Sequence, residues 1–100
     1  MDDRSQAYIY IVRCANGNYY TGWTTDVQRR VKQHNAGRGA RYTRQHGPVE
    51  LIYWEVLPDR SAAMKREDEI KRKGRQYKEQ IIMESGPDWA AGAGRQQDGD

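Results

Sequence analysis

The first third of the chain has the hydrophobic pattern of two strands joined by a tight turn. Residues 7–13 are rich in β-branched and aromatic side chains, which is typical of a strand. The dipeptide Asn16-Gly17 tolerates positive φ and predicts a two-residue hairpin turn. Residues 18–23 then predict a second strand that returns antiparallel to the first.

Two tyrosines on this hairpin are expected to be neighbours. Alternate side chains of a strand point to the same face, which places Tyr10 on one face of the first strand and Tyr20 with Gly22 on one face of the second. Gly22 has no side chain, so another group can come close to the sheet at that point. The pattern therefore predicts a tyrosine-bearing surface with a gap in it.

The residues after the hairpin predict an amphipathic helix over residues 27–35, with Asp26 among the candidate N-cap residues. At about 100° per residue, His34 falls within the apolar stripe and Arg30 at its edge. A hydrogen-bonded interior histidine and an arginine that covers apolar surface are the ordinary explanations. Because both residues lie at one edge and face the tyrosines, they are also a candidate site.

The segment that follows this helix is basic, and its glycines end the helix. Arginines can hold phosphates with two parallel N–H donors, and a tyrosine can stack on a base or sugar. The candidate nucleic-acid-binding residues here are Arg38, Arg41, Tyr42 and Arg44. A solvated basic loop or short helix without a ligand is the alternative.

The second half of the chain predicts one strand and two helical segments. Residues 49–57 are the most apolar run and predict a core strand. Ser61 is expected to cap a helix over residues 62–73, and a second segment is expected over 76–85. On the first of these helices Glu67 falls within the apolar stripe, where an unpaired charge is costly. It should therefore have a partner, either a metal ion or a structural arginine.

A cationic cluster is expected where these two helical segments meet, formed by Arg72, Lys73, Arg75 and Lys78. Beyond it the chain is glycine, alanine and polar residues without periodicity, which is typical of a disordered tail. The predicted organisation is an N-terminal tail over 1–6, one domain over 7–84 and a disordered tail over 85–100.

The composition indicates a class of partner and argues against several kinds of site and segment. Residues 4–84 hold 16 Lys and Arg against 9 Asp and Glu, a basic body that suggests a polyanion partner. Ordinary solubility charge is the alternative explanation. One cysteine and two histidines argue against a zinc site and an internal disulfide. No apolar run approaches the roughly 20 residues of a membrane span, and the acidic N-terminus argues against a secretory signal. We therefore expect a cytoplasmic protein without a membrane partner.

Several spaced motifs together resemble the GIY-YIG nuclease domain, and above all the small stand-alone GIY-YIG proteins of bacteria. The resemblance covers about residues 7–83 and rests on Tyr8-Ile-Tyr10, Tyr20-Thr-Gly22, Arg30, His34-Asn35, the Gly-Ala-Arg-Tyr-Thr segment and Glu67. It implies an α+β fold with a three-stranded antiparallel sheet flanked by helices. The chain departs from the family motif at Tyr8 and Thr21, neither of which supplies a reacting group.

The resemblance implies an endonuclease that hydrolyses phosphodiester bonds in DNA with a divalent metal, Mg²⁺ or Mn²⁺. By position, Tyr10 and Tyr20 correspond to the motif tyrosines, Arg30 to the catalytic arginine, His34 to a histidine of some branches and Glu67 to the metal-binding glutamate. One of the tyrosines would orient and deprotonate the attacking water while His34 relays the proton. The sequence does not distinguish the two tyrosines.

The expected partner is nucleic acid, DNA rather than RNA, with branched or nicked repair or recombination intermediates as candidate substrates. Lys71, from the helix that carries Glu67, joins the candidate nucleic-acid contacts. The chain is expected to be a monomer or a weak dimer. A nucleic-acid-binding GIY-YIG module with little or no catalysis is the alternative, which the small size of the chain favours.

Overall fold

The fold is an α+β arrangement built on one small sheet. The computed structural model describes residues 6–97, with side chains through Ser85. In chain order the elements are β1 (Ala7–Arg13), β2 (Tyr19–Thr24), α1 (Val27–Asn35), α2 (Arg41–His46), β3 (Glu50–Leu57) and α3 (Arg60–Gln97). The strand order is β2-β1-β3 with both pairings antiparallel, so β1 is central and the predicted three-stranded sheet is confirmed.

The hairpin register places the two tyrosines as the alternation predicts. Tyr10 pairs with Gly22, and Val12 pairs with Tyr20, so all four residues share one face of the sheet. This face packs against the apolar side of α1. The register therefore brings Tyr10 and Tyr20 to the same helix.

The opposite face of the sheet carries the second part of the core. Ile9 and Ile11 are fully buried there and pack with Ile70 and Ile81 from α3. The sheet is thus covered by α1 on one face and by α3 on the other. The helices that supply candidate catalytic residues consequently approach the sheet from opposite sides.

A β-bulge in β3 serves both faces. Ile11 pairs with Tyr53 while Val12 pairs with Leu51, which leaves Ile52 as an extra residue on β3. Leu51 and Tyr53 are two residues apart and would share a face in a regular strand. Because of the bulge, Tyr53 joins the α3 side and Leu51 joins the α1 side.

Helix α3 differs from the prediction in two ways: its N-cap is another residue, and one bent helix takes the place of two separate segments. Asp59 Oδ1 accepts a hydrogen bond from the backbone N–H of Ala62 at 2.8 Å. Asp59 is therefore the cap, and the prediction of Ser61 was wrong. A straight 38-residue helix would be about 57 Å long, but the largest dimension of the molecule is 38 Å. The segment must bend, and Gly74, with φ of 84°, lies where the two predicted helices meet.

The C-terminal prediction is tested only in part. Helix α3 continues to Gln97, so the prediction that the helix ends near residue 85 was wrong. Residues 1–5 and 98–100 lie outside the described residues, and the division of the chain at residue 84 stays a prediction.

A carboxylate–guanidinium pair joins α3 to β3. Arg66 Nε and Nη2 donate to the two oxygens of Glu55 at 2.9 and 2.7 Å. Arg66 Nη1 also donates to Tyr77 Oη beyond the bend of α3, and the Tyr53 hydroxyl donates to Glu55. Burial alone would raise the pKa of Glu55, but the hydrogen bonds from Arg66 and Tyr53 hold it below its usual value.

We predict that removing one partner of this pair costs far more stability than removing one partner of an exposed pair on the same helix. The Arg66 and Glu55 side chains are 19% and 20% exposed, so Arg66→Met leaves a poorly solvated carboxylate and should cost about 2–4 kcal/mol. Arg72→Met is the matched control, because Arg72 and its partner Asp68 are 66% and 70% exposed, and it should cost about 0–1 kcal/mol. Urea unfolding measures the free energy of unfolding of both variants. Equal losses in Arg66→Met and Arg72→Met would contradict the prediction.

Candidate active site

Helix α1 is fixed at both ends. Asp26 Oδ1 accepts the backbone N–H of Arg29 at 3.1 Å, which confirms the predicted N-cap. At the other end Asn35 makes two bonds to the backbone of Val49: its Oδ1 accepts the N–H at 2.7 Å and its Nδ2 donates to the carbonyl at 3.1 Å. These bonds hold the face of α1 that carries His34 against the sheet.

A chain of hydrogen bonds passes through the buried His34 ring. Thr43 Oγ1 donates its only proton to the carbonyl oxygen of Ala40 at 2.9 Å, so it accepts from His34 Nδ1, 2.7 Å away. In the neutral ring Nε2 then carries the lone pair, and it accepts the hydroxyl proton of Tyr10 at 2.8 Å. Thr43 thereby sets the tautomer, and Tyr10 donates to a basic nitrogen.

Two glycines make this chain of contacts sterically possible. A Cβ on Gly22 would lie 2.5 Å from the Tyr10 hydroxyl oxygen and 2.7 Å from its ring carbon Cζ. A Cβ on Gly39 would collide with His34 Nδ1 and with the His34 backbone. The gap predicted at Gly22 is therefore filled by the Tyr10 side chain.

Burial keeps both members of the Tyr10–His34 pair uncharged. His34 is 2% exposed, and burial together with the positive charge of Arg30 lowers its pKa to about 4. Tyr10 is 1% exposed, and burial raises its pKa to about 12 although the nearby Arg30 guanidinium opposes this. The negative charge of Glu67 acts in the same direction as burial. At neutral pH the pair is a neutral phenol bonded to a neutral imidazole.

Tyr20 connects this pair to helix α3. Its ring lies edge-on to His34, with centroids 5.5 Å apart, and Lys71 Nζ lies 5.8 Å from its centroid. Lys71 in turn forms an ion pair with Glu67 at 3.1 Å, and the Glu67 side chain is 23% exposed. The charge of Glu67 acts on Tyr10, so residues from β1, β2, α1 and α3 lie in one cluster.

Arg30 lies at the edge of the cluster and faces open space. Its charge acts on both His34 and Tyr10, and its Nη1 donates to Gln33 Oε1 at 3.0 Å. Within the described residues it forms no ion pair. It lines a cavity of about 470 Å³ together with Trp23 and other polar side chains. A guanidinium with unused donors beside a cavity suits the non-bridging oxygens of a phosphate.

The single carboxylate of Glu67 suits a metal ion that keeps several of its waters rather than one held by several protein ligands. Among residues 6–85, no group of three or more His, Cys, Asp or Glu side chains could hold a metal ion. Mg²⁺ keeps several waters and is commonly bound through one or two carboxylates plus substrate phosphates. Glu67, partly exposed at the edge of the cluster, meets that requirement.

The predicted nucleic-acid contacts are distributed around this cluster. The basic segment continues into the short helix α2, with Arg38 in the loop before it and Arg41 and Arg44 on the helix, and all three arginines are exposed. Tyr42 is half-buried, and its hydroxyl accepts hydrogen bonds from Asn16 and Asn18 of the hairpin turn at 3.1 and 2.8 Å. Tyr42 thus fastens α2 to the hairpin, while its contact with nucleic acid and those of the arginines stay predictions.

Thr43 and Gly39 are the site residues for which the sequence assigned no role. Both belong to the Gly-Ala-Arg-Tyr-Thr segment that the family resemblance singled out, which was the available signal. Thr43 is fully buried and bonds to His34, and Gly39 leaves space for the same ring. Their role depends on how α2 folds back onto α1, which periodicity does not reveal.

We predict that His34 destabilises the fold in mild acid. Its pKa is about 4 in the folded chain and 6.5 when exposed, so the unfolded chain binds more protons between these values. The stability that neutral His34 provides is complete above pH 6.5 and is lost as the pH falls towards 4, by up to about 3 kcal/mol. Urea unfolding across this range should show a steeper loss for the wild type than for His34→Gln. Parallel curves would contradict the burial of a neutral imidazole.

Comparison with known proteins agrees with the geometry. Residues 6–80 match the family model of the GIY-YIG catalytic domain. The chain is 53% identical over 77 residues to a UPF0213 protein of Haloquadratum walsbyi, which is 77% of this chain and 86% of that protein. No helix in the described part of the chain has the length and hydropathy needed to cross a membrane.

Two solved structures are also similar. The solution NMR structure of a UPF0213 protein from Bacillus halodurans is 44% identical, covers 82% of this chain and 88% of its own, and superposes with a TM-score of 0.54. That of a protein from E. faecalis is 39% identical, covers 83% and 88%, and gives a TM-score of 0.56. The family match and these relatives, together with the cluster described above, lead to one assignment: the chain belongs to the GIY-YIG family, an endonuclease superfamily.

Proposed function

We propose that the chain is a metal-dependent endonuclease that hydrolyses phosphodiester bonds in DNA. The observation that supports this best is the hydrogen-bonded chain Tyr10–His34–Thr43, placed beside an arginine that has no carboxylate partner among the described residues. A binding module would not need a tyrosine hydroxyl aimed at the lone pair of a histidine whose tautomer is fixed. Branched or nicked DNA is the proposed substrate class.

In this proposal the proton of the attacking water leaves through Tyr10. As the water gives its proton to the Tyr10 oxygen, the hydroxyl proton of Tyr10 passes to His34 Nε2, 2.8 Å away. The Nδ1–H bond to Thr43 keeps the ring in place as it becomes an imidazolium. His34, rather than the tyrosine, is then the final acceptor of the proton, which removes the need for a stable phenolate.

Arg30 couples substrate binding to the basicity of His34. The positive charge of Arg30 is one of the causes of the low His34 pKa. A phosphate bound to Arg30 offsets that charge, and the pKa of His34 should then rise from its resting value. Arg30 would therefore neutralise the phosphate and also favour proton acceptance when substrate is present.

Glu67 is the proposed metal ligand. A bound Mg²⁺ or Mn²⁺ supplies charge neutralisation at the phosphate and at the leaving oxygen. Lys71 pairs with the same carboxylate at 3.1 Å, so Lys71 is placed to turn to a phosphate oxygen when Glu67 holds a cation. This agrees with the prediction that Lys71 contacts nucleic acid.

A polymeric substrate accounts for the surroundings of Arg30 better than a small phosphoester does. The cavity beside it is about 470 Å³ and is lined by Arg29 and Arg60 in addition to Arg30. Trp23 forms part of the same wall and offers an aromatic face for a base. Asp26 is the one carboxylate in the described lining, and three guanidinium groups against one carboxylate exceed what a single phosphate needs.

We predict that Tyr10→Phe slows cleavage by on the order of 10²–10⁴-fold, because it removes the proton path to His34. Tyr20→Phe keeps the edge contact of its ring with His34 and removes only the hydroxyl. Its cleavage rate therefore measures the contribution of the Tyr20 hydroxyl to catalysis. Labelled single-strand, duplex, flap and four-way-junction DNA with Mg²⁺ or Mn²⁺ are the substrates to test. Full cleavage activity in both variants would exclude a tyrosine hydroxyl as the group that takes the proton of the attacking water.

We predict that Glu67→Gln abolishes metal-dependent cleavage while DNA binding in EDTA persists. Asp68→Asn is the matched control, since the Asp68 carboxylate is on the next residue and is 70% exposed. DNA binding without cleavage by the wild type, equal in Glu67→Gln, would instead favour the nucleic-acid-binding module and leave Glu67 as a structural carboxylate.

A further inference from the structure

A small cavity lies at the hairpin end of β2, outside the catalytic cluster. Its volume is about 220 Å³, and its walls are formed by Asn18, Tyr19, Tyr42, Arg75 and Lys78. No carboxylate is among these residues. Among the described residues, the rest of the wall is formed by neutral polar and aromatic side chains, so two cationic groups face this space without a carboxylate in its lining.

Lys78 carries a charge that none of the side chains described by the structure offsets. Its side chain is half-buried, and within the described part of the chain it forms no hydrogen bond or ion pair. The neighbouring cations are paired, Lys71 with Glu67 and Arg75 with Glu79. Burial, followed by the charges of Lys71 and Arg75, lowers the pKa of Lys78. A cation kept in such a place costs stability unless an anion joins it.

Arg75 is held with its guanidinium ready for a ligand. The group lies over the Tyr19 ring, 4.5 Å from its centroid. Nε donates to Glu79 at 3.0 Å, while Nη1 and Nη2 donate to Asn18 Oδ1 and Gly17 O at 3.3 Å each. A guanidinium has five N–H donors, so two remain. The stacking and the backbone bond limit its rotamers, which reduces the entropy lost on binding.

The position of the cavity relates it to the catalytic cluster. Tyr19, in its wall, directly precedes Tyr20, and Lys71 lies against the Tyr20 ring. The cavity beside Arg30, which is lined in part by Trp23, lies at the other end of β2. Four residues of strand span about 13 Å, which is room for several nucleotides between the two cavities.

We propose that this hairpin-end cavity is a second anion site, in which Lys78 and Arg75 hold a backbone phosphate of the nucleic-acid strand that is being cut. The proposal rests on the nuclease function proposed above and adds a path for the strand. The strand passes along the exposed edge of β2, with its scissile phosphate at Arg30 and a flanking phosphate at Lys78. The site recognises charge and not sequence.

The test is DNA binding by Lys78→Met measured against salt in EDTA, so that no strand is cut. Loss of one phosphate contact should weaken binding on the order of tenfold at low salt and reduce the salt-dependence slope by about 0.7–0.9. Lys78→Arg should retain both values. Lys65→Met is the matched control, because Lys65 is exposed on the outward side of the same helix, and it should bind as the wild type does.

Thermal unfolding separates binding from structure. Because Lys78→Met removes an uncompensated charge, its melting temperature should equal or exceed that of the wild type. A lower melting temperature in both Lys78 variants would mark a structural lysine and overturn the proposal.

The failures are distinguishable. If the wild type binds and cuts DNA, and Lys78→Met binds with the same affinity and salt-dependence slope as Lys65→Met, the hairpin-end site is refuted and the proposed nuclease function stands. A wild type that binds no nucleic acid at all would remove the proposed function and this site together. A neutral methylphosphonate flanking the cleavage point should impair the wild type and have no further effect on Lys78→Met.

Discussion

The burial of a neutral histidine is the constraint around which this small domain is arranged. A polar ring that loses its water must have both nitrogens bonded, or the fold loses on the order of 1–3 kcal/mol for each unbonded group. Thr43 and Tyr10 provide these bonds. Gly39 and Gly22 leave the space that the two rings need. The hairpin, α1 and α2 are therefore positioned together, because each contributes to the environment of His34.

The charges in the site follow from the same constraint. The interior holds a phenol and an imidazole, both neutral, while the ionised groups Arg30, Glu67 and Lys71 lie partly exposed at the edge. An ionised group in the interior would pay a desolvation cost that a domain of 100 residues has little surplus stability to offset. The charges that substrate brings consequently meet protein charges at the surface, and in the proposed reaction the interior takes up one charge, the proton on His34.

Helical periodicity was enough to predict the inward positions of His34, Arg30 and Glu67, since each follows from position on one element, and the structure places all three in one cluster. Their catalytic roles stay predictions. The residues that support them were not predictable in this way. Thr43 reaches His34 only because α2 folds back onto α1. The bulge at Ile52 and the Arg66–Glu55 pair depend on the pairing of β3 and its packing with α3. Such contacts between distant segments leave no periodic pattern in the sequence.

The edge position of β2 explains how so small a sheet can act on a polymer. The central strand β1 is covered by α1 on one face and α3 on the other, so a nucleic-acid strand cannot lie across the middle of the sheet. Tyr20, on the edge strand, contacts His34 from α1 and Lys71 from α3. Groups from both faces can meet one phosphate only where the sheet ends. The sheet ends at β2 and at β3, and the contacts of Tyr20 with both helices place this site along β2.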